Sequence, residues 1–165
     1  MENIFIKDLK DFVDKEVVIN GWVANFRSSG KIAFWQLRDG SGIAQAILSS
    51  ADLSEGVWAK AQEVTQETSV KVMAKVAKHP KKDEYELHVI DFNYYQIAEE
   101  YPISKKEHGV DFLMDNRHLW LRSAKQIAIQ KIRNTLIQAN YDYMAKNDFV
   151  KIDAPILTPN ACEGT

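Results

Sequence analysis

The stretch Val17 to Leu48 reads VVINGWVANFRSSGKIAFWQLRDGSGIAQAIL, and its alternation decides the fold. In its middle strand, Ala33, Trp35 and Leu37 share one face, while Phe34 falls on the other with Gln36 and Arg38. A benzene ring thereby stands among polar neighbours on the side of the sheet expected to be wet. Such a ring is a platform on which an unpaired nucleotide base can stack; the alternative is a ring covered by a loop or a partner. The preceding strand, about Val17 to Arg27, puts Val17, Ile19, Gly21 and Val23 on one face. Gly21 inside it marks the bend or bulge that a small barrel needs in order to close. Ser28, Ser29 and Gly30 turn the chain into the Phe34 strand, and Asp39, Gly40, Ser41 and Gly42 turn it out again. In the third strand, Ile43 to Leu48, inward-facing Ala44, Ala46 and Leu48 leave Gln45 facing outward near Phe34.

Working outward, Phe5 to Asp14 is a lead-in whose Phe5, Ile6, Leu9, Phe12 and Val13 are spaced to cover one end of a barrel, as helix or as loop. Downstream, Asp52 or Ser54 can cap a helix in which Val57, Trp58, Ala61 and Val64 recur at helical spacing. A fourth strand follows, with Val70, Val72, Ala74 and Val76 on one side and Lys71, Met73 and Lys75 on the other. His79 to Asp83 supply a polar turn. The fifth strand starts with Tyr85, Leu87 and Val89 inward and Glu86 and His88 outward, and then Ile90, Phe92 and Tyr94 take over as the apolar set. That slip of phase marks a bulge near Val89 and Ile90. Three strands, a helix and two more strands are the order of an OB-fold, a five-stranded barrel whose face around strands two and three binds oligonucleotides. An SH3-like barrel would lack the helix, and a ferredoxin-like domain would need one after its first strand.

Composition narrows the function classes. With Lys+Arg 21 against Asp+Glu 23, no overall basic field advertises a nucleic-acid partner, so any such binding rests on a local patch. The single cysteine, Cys162, excludes an internal disulfide and fits a reducing compartment. The amino terminus, MENIFIKDLKDF, has no apolar run long enough for a signal peptide or a membrane span, so a soluble cytoplasmic protein is expected. The four histidines do not cluster at metal-ligand spacing, and no metal is expected. No Gly-rich phosphate loop, Ser/His/Asp order or paired catalytic carboxylates can be made out.

Residues 1–98 read as the barrel domain, 99–112 as a hinge broken by Pro102, Ser104 and Gly109, and 113–165 as the start of a second domain. Leu121 to Lys146 carries the longest helical pattern, roughly 35 to 40 Å if fully wound. Ala124, Ala128, Ile132 and Leu136 form its stripe, widened by Ile129, Ile137 and Tyr143. So broad a face suits a core helix or, in addition, a subunit interface. Phe149 to Leu157 reads as a strand, with Pro155 tolerated at an edge or where another chain is the partner.

Asp115-Asn116-Arg117-His118-Leu119-Trp120-Leu121-Arg122 and the later run from Phe149 to Thr158 resemble the start of the catalytic domain of class IIb aminoacyl-tRNA synthetases. Gly21-Trp22-Val23, Phe34, Leu37-Arg38-Asp39 and Gly42-Ile43-Ala44-Gln45 resemble that class's anticodon-binding OB domain. Within the class, Arg117 to Arg122 is similar to the asparaginyl group, with His118 and Trp120 carrying the choice over aspartyl and lysyl relatives. The family fold implied is the all-β OB barrel followed by a helix–strand start of an α+β catalytic domain. Two departures bear on local turns: Asp148 stands where the family usually has Gly, and Cys162 where Pro is common.

The resemblance implies a longer enzyme that attaches asparagine to tRNA with ATP and Mg²⁺, in which the ATP-binding motifs lie past Thr165. No catalytic residue and no bound cofactor are then expected within these 165 residues, and tRNA is the expected partner. By the same resemblance, Phe34 stacks on the central uridine of the anticodon, Gln45 and Glu86 read base edges, and Arg27 holds the backbone or an adjacent base. Glu163 would contact the α-amino group of the substrate amino acid. The long helix and the Pro-bearing strand are similar to motif 1, which implies a homodimer interface including Ile132, Phe149 and Pro155. Plainer readings stand beside these: Gln45 as a surface residue, Glu86 paired with Lys71 or Lys75, Arg27 bridged to Asp39, or a single-strand-binding module with no enzyme behind it.

Overall fold

Fourteen consecutive residues, Glu16–Ser29, form one strand that changes partner halfway along, and this change closes the barrel. In the computed structural model, which describes residues 1–104 and 106–157, the first of two units is Met1–Pro102. Its elements are β1 (Glu2–Asn3), a 3-10 helix (Ile6–Phe12), β2 (Glu16–Ser29), β3 (Ile32–Arg38), β4 (Ile43–Ser49), α1 (Glu55–Glu63), β5 (Ser69–Lys78) and β6 (Tyr85–Gln96). The strand order is β1-β2-β3-β4-β6-β5, with β5 returning to pair β2. Residues Glu16 to Trp22 of β2 pair with β5, and Trp22 to Ser29 with β3. Gly21 lies at the hand-over, where a Cβ would run into the Arg38 carbonyl oxygen. This is the five-stranded closed barrel with one helix that the alternation predicts, with the short β1 added alongside β2.

Two slips of register set which side chains face out. The first falls at Ala24, three residues past the predicted bend at Gly21: Val23 pairs Leu37 and Asn25 pairs Gln36, so Ala24 is left over. Val23 therefore stays in the core, and Asn25 and Arg27 move to the outer face. The second slip is the predicted one in β6. Asp91 pairs Met73 and Val89 pairs Ala74, which leaves Ile90 as the extra residue, 41% exposed rather than inward. Phe92 then re-enters the core and meets Trp35 edge to face at a ring-centroid distance of 4.8 Å. Around that pair lie Val17, Ile19, Leu37, Leu48, Val72, Val76 and Leu87, all fully buried.

The ends of the barrel are tied by polar contacts. Asp39 Oδ1 accepts from the Ser41 and Gly42 backbone N–H groups and Oδ2 from that of Ile6, which pins the lead-in helix to the β3–β4 turn. Asp39 is thus engaged there, away from Arg27. Arg38 makes a two-pronged pair with buried Glu67, at 2.9 and 2.7 Å. Ser54, one of the two predicted caps, accepts from the Val57 N–H at the start of α1.

The second unit begins at Ile103. It contains α2 (Val110–Asp115), α3 (Arg117–Trp120) and α4 (Ala124–Lys146). The long helix starts at Ala124 rather than at Leu121 because the Ser123 hydroxyl caps it by accepting from the Gln126 N–H. At its other end, the Phe149 N–H donates to the Met144 carbonyl and the Asp148 N–H to the Ala145 carbonyl, with Asp148 at φ 64. These are the two bonds of a Schellman ending, whose left-handed residue favours Gly, and Asp148 takes that position. The strand expected over Phe149 to Leu157 does not form; residues 149–157 are irregular and exposed. A strand needs a neighbour to accept and donate its ladder bonds, and no strand pairs with this segment among the described residues. No helix among the described residues is long and apolar enough to cross a membrane.

Candidate nucleic-acid interface

Register across the outer face of β2, β3, β4 and β6 arranges side chains in rows, since residues directly opposite in a ladder share a face. One row is Arg27, Phe34, Ile47 and His88. The next is Asn25, Gln36, Gln45 and Glu86. The first row presents an aromatic ring between a cation and an aliphatic side chain, and the second presents four polar side chains able to make hydrogen bonds.

In the first row, Phe34 is half-buried, on the face opposite Trp35. The Arg27 guanidinium lies over its ring at 4.4 Å from the centroid, a cation–π contact in place of the ion pair with Asp39. In the second row, the Gln45 Nε2 donates to Glu86 Oε1 at 2.8 Å, and the Asn25 Nδ2 faces Gln36 Oε1 at 3.5 Å. Glu86 lies on the outer side of its strand, opposite inward Leu87, yet is only 8% exposed. Gln45 and His79 cover it, His79 Nε2 standing 3.7 Å from the same Oε1. Its carboxylate therefore pairs across β4–β6 and with the turn, and Lys75 turns instead to Asp14 at 3.8 Å. Gln45, His79, Lys82, Glu84, Tyr85 and Glu86 line a cavity of about 240 Å³.

Of the residues singled out in the sequence, Phe34, Gln45, Glu86 and Arg27 thus come together on one face. Ile132, Phe149 and Pro155 belong to the second unit and are exposed there, and Glu163 lies outside the described residues. Three polar neighbours went unmarked in the sequence. Asn25 was concealed by the slip at Ala24, and Gln36 was legible as a facemate of Phe34. His79, read there as a surface turn residue, reaches the site through the fold of its turn. Among the described residues, no three His, Cys, Asp or Glu side chains form a metal-binding set.

Residues 17–93 match the model of the OB-fold nucleic acid binding domain, and residues 109–165 that of the class II tRNA synthetases for D, K and N. Over 164 residues the chain is 49% identical to an asparagine–tRNA ligase of Sorangium cellulosum, covering 98% of this chain and 37% of that protein. The chain thus spans well under half the length of the curated relative it matches. Its fold superposes with a TM-score of 0.85 on the crystal structure of asparaginyl-tRNA synthetase from Pyrococcus horikoshii complexed with asparaginyl-adenylate, at 30% identity over 98% of this chain and 38% of that one. The aspartyl-tRNA synthetase of Entamoeba histolytica gives a TM-score of 0.79 at 22% identity, over 96% of this chain and 40% of that one. The fold is therefore shared by asparaginyl and aspartyl relatives.

Proposed function

We propose that this chain, similar in sequence and fold to part of the asparaginyl-tRNA synthetases, carries a barrel that reads the anticodon loop of the tRNA that such an enzyme charges. The whole protein would join asparagine to that tRNA using ATP and Mg²⁺, in the cytoplasm, as a homodimer built on the α4 face and the segment holding Phe149 and Pro155. The observation that carries the reading is the Phe34 ring beside the Gln45–Glu86 pair, on the outer face of a barrel of the anticodon-binding kind.

The chemistry follows from the two rows. A splayed-out base stacking on Phe34 gains about 1 to 3 kcal/mol. The Arg27 guanidinium already on that ring gains about 0.5 to 1 kcal/mol at an exposed site. The base therefore wins the ring, and the displaced cation is left within reach of the phosphate backbone. Gln45 can both donate and accept toward a base edge, and Glu86 accepts from base N–H groups. Glu163 is the residue proposed to meet the substrate's α-amino group.

The test is a pair of RNAs offered to the same chain: a hairpin presenting a central U in its loop, and an unstructured pyrimidine-rich strand of equal length. Preference for the hairpin by tenfold or more supports anticodon reading. Equal affinity for both would instead assign the barrel to sequence-tolerant binding of single strands.

A further inference from the structure

We propose that His79 is a positioning residue for the base-reading carboxylate Glu86, and this rests on the anticodon reading above. His79 opens the turn between β5 and β6, and its backbone N–H donates to the Glu84 carbonyl at 2.9 Å, closing that turn. Its ring Nδ1 accepts from the backbone N–H groups of Lys81 and Lys82, at 3.1 and 3.2 Å. A nitrogen that accepts twice holds a lone pair, so the ring proton sits on Nε2. That Nε2–H faces Glu86 Oε1 at 3.7 Å, beside the Gln45 amide at 2.8 Å on the same oxygen.

The Gln45 amide donates to Oε1, the His79 Nε2 stands beside the same oxygen, and Oε2 is left for something else. No buried side-chain oxygen lacks a partner among the described residues, and neither contact of Glu86 uses Oε2. Oε2 is therefore open to the cavity that Gln45, His79 and Glu86 line. The structure assigns the turn a purpose beyond joining two strands: it sets the tautomer of His79, His79 and Gln45 set the carboxylate, and the free oxygen meets the base edge. At 3.7 Å the imidazole contact is longer than a hydrogen bond, and it bears on the carboxylate through electrostatics and packing.

Two substitutions separate the ring's two nitrogens. His79→Asn keeps an acceptor for the Lys81 and Lys82 N–H groups but cannot reach Glu86, whereas His79→Gln carries a donor toward Glu86. With the central-U hairpin as probe, His79→Asn is expected to weaken binding about fivefold with an unchanged melting curve, and His79→Gln to stay within about twofold of the unsubstituted chain. In a Glu86→Gln background, His79→Asn should cost nothing further, because its effect runs through that carboxylate. Hairpin affinity untouched by His79→Asn, or reduced by the same factor with Glu86→Gln already present, would overturn the proposal. So would parallel losses of affinity and melting temperature in both His79 variants, which would confine His79 to holding the turn. Failure of the unsubstituted chain to bind the hairpin would strike the functional reading itself and take the role of His79 with it. Failure confined to the His79 variants leaves that reading standing.

Discussion

Trp35 and Ile132 are both large apolar side chains on regular elements, yet one is 1% exposed and the other 62%. The difference separates the two units. In the barrel, strands β2 to β6 each send side chains into a sealed interior, so its elements bury one another. In the helical unit, α4 has no buried residue, and Ile129, Leu136 and Tyr143 are exposed along with Ile132. A barrel contains its own core, whereas α4 buries none of its apolar side chains. Phe34 belongs to neither case: it is a large apolar ring kept half-buried on a wet face by a closed barrel behind it, under the Arg27 guanidinium.

The largest effect expected from that contrast is on the barrel. Trp35→Ala removes the ring packed on Phe92 and should destabilise the first unit by about 3 to 5 kcal/mol in denaturant unfolding. A loss below about 1 kcal/mol would mean that the barrel core is not closed around Trp35. Next comes the end of α4, where Asp148→Gly relieves a side chain at φ 64 and should stabilise the last turn by about 1 kcal/mol, slowing hydrogen exchange at the Phe149 amide. Faster exchange there would contradict the Schellman ending. The smallest change belongs to Ile132→Ala, which removes an exposed side chain and improves helix propensity. Thermal unfolding of dilute protein should shift by less than about 0.5 kcal/mol. A loss above about 2 kcal/mol would show that Ile132 is covered, and dependence of that loss on protein concentration would identify a second copy as the cover.

Local alternation carried most of the barrel. Ala33, Trp35 and Leu37 against Phe34 and Gln36, the cap at Ser54 and the phase slip at Ile90 were all legible because each is written within a few residues. Asp148, noted through the resemblance as standing in place of Gly, lies at a positive φ that favours Gly. What the sequence did not disclose depends on long-range pairing. Glu86 is buried because β6 lies parallel to β4, which brings it beside Gln45, 41 positions away in the chain. The Arg38–Glu67 pair likewise spans 29 positions. Ala24 carries no mark of a bulge, so Asn25 was missed while Arg27 was reached only through the resemblance. The strand over 149–157 failed for a simple reason: alternation gives a segment the capacity to pair but does not supply the partner.

The central claim is that the exposed side of Phe34 is a stacking surface for a base. It is tested most directly by measuring the affinity of Phe34→Ala for the central-U hairpin beside its melting curve. The account predicts binding weakened about five- to more than a hundredfold with no change in melting. Unchanged affinity alongside an unchanged melting curve would contradict it.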